Sequence, residues 1–333
     1  MSLATKYLGL ELSNPLVASA SPLNNKLDNI RRLEDAGAGA IVLPSLFQEQ
    51  IEAETEARIS LMEAYADSSP EARSYFHASV GGPYGLRPDR YLDLVRRASE
   101  AVAIPVIASL NGCSRAGWID HARLLEEAGA AAIELNLYHI PADLFESGRD
   151  VEARYTAIVH AVHRSITLPV AVKLTPYVSS PGDFAMTLVE AGASGLVLFN
   201  RVLAPDIDLT RMQLVDTLTL SDASDMRQPM LWISLLAGRS KASLAASGGV
   251  STVDDMVKYL LAGADVVMTT SALLRHDIEY MTTLVGGLRR WMEEREITSL
   301  DDVRGMMSRR QSVACDVYTR ANYLRILESY TPP

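Results

Sequence analysis

The stretch Ser251–Ser271, STVDDMVKYLLAGADVVMTTS, decides the fold. It opens with Ser251 and Asp254 in capping-box spacing, a pair whose side chains can satisfy the free N–H groups at a helix start. An amphipathic helical pattern follows and stops at Gly263 and Ala264. Glycine stops a helix because it adopts left-handed backbone without a Cβ penalty. The run 265–271 comes directly after, and a mostly apolar run of this length reads as a strand covered on both faces, as in a parallel sheet. The stretch is a helix, a joint and a strand.

Three further segments repeat that joint: LEDAGAGAIVL (33–43), LLEEAGAAAIEL (124–135) and TLVEAGASGLVL (187–198). Working outward from them, strands are expected at 15–19, 39–45, 104–110, 132–137, 169–175, 195–200, 243–247 and 265–271. Helical patterns, such as those at 90–102 and 155–166, separate most of these. Eight strands alternating with helices predict a (β/α)8 TIM barrel. An open doubly wound sheet is the competing arrangement, and the barrel is preferred because the count reaches eight without strain. Two long insertions break the alternation, residues 46–88 after strand 2 and residues 201–230 after strand 6. Excursions at the C-terminal ends of barrel strands either cover an active site or decorate the surface. No linker rich in Pro, Gly or Ser divides the chain, so residues 1–333 read as one domain.

Composition narrows the function. The chain has 333 residues, a net charge of −10, 48% apolar and 22% charged residues, a globular balance that argues against disorder. Its acidic balance argues against a binder of duplex nucleic acid, which needs a basic face. Two cysteines, Cys113 and Cys315, imply no disulfide framework. No basic start followed by an apolar run and no spanning segment is visible, so a cytoplasmic protein working on a small molecule away from the membrane is expected.

In a barrel, chemistry sits where strands end. Gly248 and Gly249 follow strand 7, and Thr270 and Ser271 end strand 8. Glycine lets backbone N–H groups approach an anion, and the helix beginning at 251–252 aims its positive end at the same place, so this corner reads as a phosphate site or as a plain tight turn. Lys173 lies in the apolar strand AVKLTP, where its charge needs an anion, the barrel mouth, or an ion pair with Glu134. Asn111 lies where a strand ends, and Asn136 and Asn200 end strands with amides suited to a planar heterocycle, or else form turns. His139 follows Asn136 in NLYHIP and is a possible proton acceptor or a structural loop residue. The histidines and acids show no strong metal-ligand spacing.

These residues resemble a known family. The opening TKYLGLELSNPLVASASPL is similar to that of dihydroorotate dehydrogenases, and the likeness continues in order through GAIVLPS, IPVIASL, AIELNL, VKLTPY, LFN and SGGVSTVDDMVKYLLAGADVVMTTSALLRHD. The pyrimidine-reducing domain of dihydropyrimidine dehydrogenase is similar too. The resemblance implies an FMN-binding barrel that oxidises dihydroorotate to orotate in pyrimidine biosynthesis, with a base taking a proton and a hydride passing to flavin. Ala18 and Ser19 would line the flavin ring, and Lys173 would meet its N1/O2 edge. Asn111, Asn136 and Asn200 would join the cofactor set, and Gly248, Gly249, Thr270 and Ser271 would hold the phosphate. Asn136, Asn200 and Arg201 would face the substrate. A homodimer is the implied assembly.

The sequence also departs from the family pattern. His139 stands where the family carries its cysteine base, and the asparagine that follows there is missing. Pro44 replaces a lysine after the second strand, Arg201 replaces a Ser or Thr, and Ala20 replaces a glycine. The substrate side is altered more than the cofactor side. His139 as base and Arg201 as partner for a substrate carboxylate are the expectations for this chain. The alternatives are an FMN oxidoreductase for another small molecule, a flavin protein without dihydroorotate turnover, and a phosphate-binding barrel without flavin.

Overall fold

Short runs of β-branched and small apolar residues build the centre of the molecule. A computed structural model describes residues 1–50, 88–111, 115–202, 205–215, 218–310 and 321–329. Eight parallel strands close into a barrel: β1 (Leu16–Ala18), β2 (Ala40–Phe47), β3 (Val106–Asn111), β4 (Ala132–Asn136), β5 (Val170–Leu174), β6 (Gly195–Leu198), β7 (Ser243–Ser247) and β8 (Val266–Thr269). Neighbours in sequence are neighbours in space, and β8 returns to pair with β1. The fold is a (β/α)8 TIM barrel.

The helices α1 (Leu27–Asp35), α2 (Pro88–Ala101), α3 (Arg115–Glu127), α4 (Gly148–His163), α5 (Pro181–Glu190), α6 (Arg227–Leu236) and α7 (Val253–Ala262) form the outer layer. Two more, α8 (Ser271–His276) and α9 (Tyr280–Glu293), follow β8, and α10 (Ala321–Glu328) lies near the C-terminus. The larger apolar cluster fills the space between strands and helices, with Leu16, Ile41, Leu135, Leu196 and Val267 facing out against Ile30, Leu125 and Leu188. A second cluster fills the barrel, where Val17, Val42, Ile107, Ala132, Ala171 and Ala245 point inward. An antiparallel hairpin, Thr5–Tyr7 with Leu10–Leu12, plugs its lower end by inserting Tyr7, Leu8 and Leu12. With the floor packed, the barrel opens at its upper end.

The four glycine joints all take positive φ, from +92° at Gly37 and Gly129 to +111° at Gly192 and +117° at Gly263. At Gly263 the N–H donates to the carbonyls of Tyr259 and Leu260, ending α7, and an added Cβ would sit 2.4 Å from that of Ala237. Only glycine fits such a joint.

Three details differ from the sequence reading. The capping box of α7 uses Thr252 and Asp255, one residue beyond Ser251 and Asp254. Strand β8 ends at Thr269, so Thr270 is the N-cap of α8 and Ser271 its first residue. Strand β2 runs on to Phe47 through a register shift between Val42 and Ser45, where Pro44 has no N–H for the ladder. Residues 51–87, most of the first insertion, lie outside the described residues, as do Cys113 and Cys315. The second insertion carries a hairpin, Asp206–Asp208 with Gln213–Val215, and a short 3-10 turn at Ala223–Met226. Among the described residues no helix is long and apolar enough to cross a membrane.

Candidate functional site

Strand alternation decides which side chains reach the barrel mouth. On β3, β4 and β5 the residues after the inward-facing Ile107, Ala132 and Ala171 are Ser109 and Asn111, Glu134 and Asn136, and Lys173. Apolar groups fill the lower layers and polar groups the upper ones. A cavity of about 260 Å³ opens at the mouth. It is lined by Ser19 after β1, Lys173 on β5, Asn200 and Arg201 after β6, Gly248 and Gly249 after β7, and Thr270 with Ser271 after β8.

A chain of side-chain hydrogen bonds borders this cavity. Asn200 Nδ2 donates to Asn136 Oδ1 at 2.7 Å, Asn136 Nδ2 donates to Ser45 Oγ at 3.4 Å, and Ser45 Oγ lies 2.8 Å from Ser109 Oγ. The Arg201 N–H donates to Asn200 Oδ1 at 2.9 Å. Both amide oxygens are therefore engaged, and among the described residues each NH2 group retains one donor. With the Lys173 ammonium beside them, this side of the site is rich in donors and suits a ligand rich in acceptors.

Lys173 is 7% exposed and Glu134 1% exposed. Their Nζ and Oε1 atoms are 3.9 Å apart, so the ion pair expected of these two residues forms. Burial pushes the Glu134 carboxyl above the usual carboxylate range, against the opposing pull of Lys173. Removing one partner of such a buried pair typically costs about 3–5 kcal/mol.

The opposite end of the cavity is a backbone turn. Gly248 and Gly249 take φ of +104° and +78°. A Cβ at Gly249 would fall 2.5 Å from the Asp222 carbonyl oxygen, whereas one at Gly248 would meet open space. The Tyr259 hydroxyl donates to the Gly248 carbonyl at 2.8 Å and the Tyr280 hydroxyl to the Ser251 carbonyl at 3.0 Å, holding the loop from beneath. The start of α7 contributes less than its sequence suggested. Asp255 accepts from the Ser251 and Thr252 N–H groups at 3.1 and 2.9 Å, so the helix supplies its own anion. At the glycine turn the Gly249 N–H donates to Ser221 Oγ at 3.2 Å and the Thr270 hydroxyl to the Ser19 carbonyl at 3.3 Å, so an anion here would take over donors that the protein now satisfies itself.

His139 lies in the loop after β4 and does not line the cavity. Its Nε2 is 3.1 Å from Glu146 Oε2, and Arg154 binds the other oxygen of the same carboxylate. The hydrogen bond from His139, then that from Arg154, holds the Glu146 carboxyl below its ordinary range. Ala18 packs into the strand–helix layer, and Asn111 is buried at the end of β3. Asn136 touches the cavity through Asn200. Arg201 lines it, and its guanidinium donates to the Thr219 carbonyl.

Two groups of residues escaped the sequence reading. Ser221, inside the second insertion, lies 2.9 Å from Ser271 Oγ, and its Oγ accepts from the Gly249 N–H at 3.2 Å. It joins the insertion to both anion-facing loops. Glu146 and Arg154 order the His139 loop. Ser221 sits in an irregular stretch, where no periodicity marks it.

The family model described as dihydroorotate dehydrogenase matches residues 2–292. A putative dihydroorotate dehydrogenase A (fumarate) of Aeropyrum pernix is 29% identical over 92% of this chain and 98% of its own length. The catalytic subunit of dihydroorotate dehydrogenase B (NAD(+)) of Thermoplasma acidophilum is 25% identical over 92% of this chain and 99% of its own. The NAD-dependent dihydropyrimidine dehydrogenase subunit PreA of Escherichia coli is 24% identical over 91% of this chain and 76% of its own.

Proposed function

Because this chain belongs to the dihydroorotate dehydrogenase family, we propose that its barrel mouth binds FMN and that the protein oxidises the CH–CH bond of a dihydropyrimidine, with dihydroorotate the first choice. The observation that carries this reading is the pairing of two unlike ends in one cavity, Lys173 with Asn200 on one side and the Gly248–Gly249 turn on the other.

The residues fit such a cofactor. A planar ring rich in carbonyl and imine acceptors matches the ammonium and the spare amide donors. A phosphate matches N–H groups in a glycine turn, where Gly249 leaves no room for a side chain. When bound, FMN would supply a two-electron acceptor; every other part of the chemistry falls to the chain. Lys173 would hold the ring edge and stabilise negative charge there. Asn200 would turn its remaining N–H to the flavin, and Asn136 would orient the pyrimidine through its own. Arg201 would pair with the substrate carboxylate.

His139 would accept the proton from carbon. Glu146 holds its ring through Nε2 on a loop outside the cavity lining, and Arg154 steadies Glu146, so this role requires the loop to carry Nδ1 to the mouth when substrate binds. The base would thus stand on an ordered loop rather than on the strand itself.

A second reading keeps the cofactor and changes the substrate. It is favoured by the commitment of Arg201 to the Thr219 carbonyl, which leaves the substrate carboxylate a shared partner. Anaerobic addition of dihydroorotate and of dihydrouracil to the FMN-loaded protein separates the two. Bleaching of the flavin by dihydroorotate supports the first reading, and bleaching by the uncharged ring alone supports the second. A flavin that neither compound reduces removes both.

A further inference from the structure

Glu134 lies one layer below the cavity, on the same face of β4 as Asn136. Both of its carboxylate oxygens are buried and accept no hydrogen bond among the described residues. Three groups on other elements act on it electrostatically. Lys173 comes from β5, 3.9 Å away. Tyr7 comes from the floor hairpin, with a buried hydroxyl that likewise has no hydrogen-bond partner among the described residues. Tyr91 comes from α2, and its hydroxyl is committed to the backbone of Ser109. Burial pushes both phenols upward, so each is neutral around neutral pH. Lys173 remains as the charge that faces Glu134.

The pair is close to a bare counter-ion arrangement. Among the described residues no hydroxyl or amide holds the carboxylate in place, and solvent barely reaches either group. Salt and water screen a buried pair far less than a surface pair. When Glu134 is ionised, the field that Lys173 projects into the cavity is that of a cation with an anion directly behind it.

We propose that Glu134 is a positioning residue that acts through Lys173, anchoring its ammonium at the cavity floor and subtracting from the positive charge it presents to the flavin, so that the bound flavin is held at a lower reduction potential. The proposal rests on the FMN reading above. Reduced flavin carries more negative charge than oxidised flavin at the edge that Lys173 would meet, so any change in net charge behind that edge moves the potential.

The test is the midpoint potential of the FMN-loaded protein across the neutral pH range, for the wild type, Glu134→Gln, Lys173→Met and the double variant. Glutamine keeps the shape and removes the charge. Glu134→Gln is expected to favour reduced over oxidised flavin by about tenfold, which is an upward shift of about 30 mV for a two-electron couple. The gap between wild type and variant closes as the pH falls and Glu134 takes up a proton. In the Lys173→Met background the same change is expected to do little, because a buried carboxyl without its cation is neutral.

An unchanged potential at every pH, a downward shift, or an equal shift without Lys173 overturns the proposal. If Glu134→Gln does not fold, the wild type and Lys173→Met carry the test. The extra pH dependence must be present in the first and absent from the second, and its presence in both, or its absence from both, overturns the proposal. A wild-type protein that binds no FMN overturns the functional reading together with this one. A protein that binds FMN but shows no effect of Glu134 overturns this one alone.

Discussion

Asn200 and Asn136 are joined by a 2.7 Å hydrogen bond from Nδ2 to Oδ1. Their strands are not neighbours: β5 lies between β4 and β6, and Lys173 on β5 is in register with Asn136. The amide pair therefore spans the tip of the strand that carries the lysine. The ends of three strands are thereby tied into one unit, and the orientation of each amide is set by its neighbour.

Breaking that unit should weaken cofactor binding without unfolding the barrel. Asn200→Ala removes a donor to Asn136 and one spare N–H toward the ligand. A loss of about 1–2 kcal/mol in FMN affinity, roughly tenfold, is expected from one such hydrogen bond with its orienting role. Quenching of flavin fluorescence on titration with apoprotein measures it. Affinity equal to the wild type would place the amide pair outside the binding surface.

The glycine turn makes a sharper demand. Gly249→Ala forces a Cβ to within 2.5 Å of the Asp222 carbonyl at a φ of +78°. A loss on the order of 2 kcal/mol in stability is expected, read from the urea midpoint. Gly248→Ala meets no neighbouring atom, so it should cost less while still stiffening the turn. The ranking of the two variants checks the geometry, and a milder effect at Gly249 would contradict it.

Variants in the His139 loop should separate binding from turnover. His139→Asn should abolish reduction of the flavin by substrate while leaving FMN bound. Glu146→Gln, which frees the imidazole from its orienting carboxylate, should lower kcat more than it raises KM and move the pH profile. Stopped-flow reduction rates decide this. Undiminished rates in His139→Asn would remove the histidine from the reaction.

Glu134 should be visible in the stability of the apoprotein. Its folded-state pKa is raised above the unfolded value by burial, so the folded chain binds the proton more tightly. Stability from this group is then present below the unfolded pKa, near 4.5, and is lost as the pH rises through the folded one. Glu134→Gln should flatten that decline. Denaturation curves at several pH values for both proteins measure it, and parallel pH dependence would show that the carboxyl titrates as it does in water.

Much of the barrel could be read from particular residues. Gly37, Gly129, Gly192 and Gly263 each follow a helical pattern and precede an apolar run, and one physical requirement, positive φ at a helix end, produces all four. Strand alternation likewise placed Glu134 beside Lys173. The α7 cap slipped by one residue because Ser251 with Asp254 and Thr252 with Asp255 satisfy the same spacing. Ser221 stayed hidden because its link to Gly249 and Ser271 crosses 28 and 50 residues of chain, a closure that no local pattern encodes.

Titration of the apoprotein with FMN tests the central claim most directly, comparing wild type with Lys173→Met. The account predicts one FMN per chain and an affinity at least about tenfold weaker without the lysine, a difference of about 1.4 kcal/mol. Absence of FMN binding in the wild type, or equal affinity in both proteins, would contradict it.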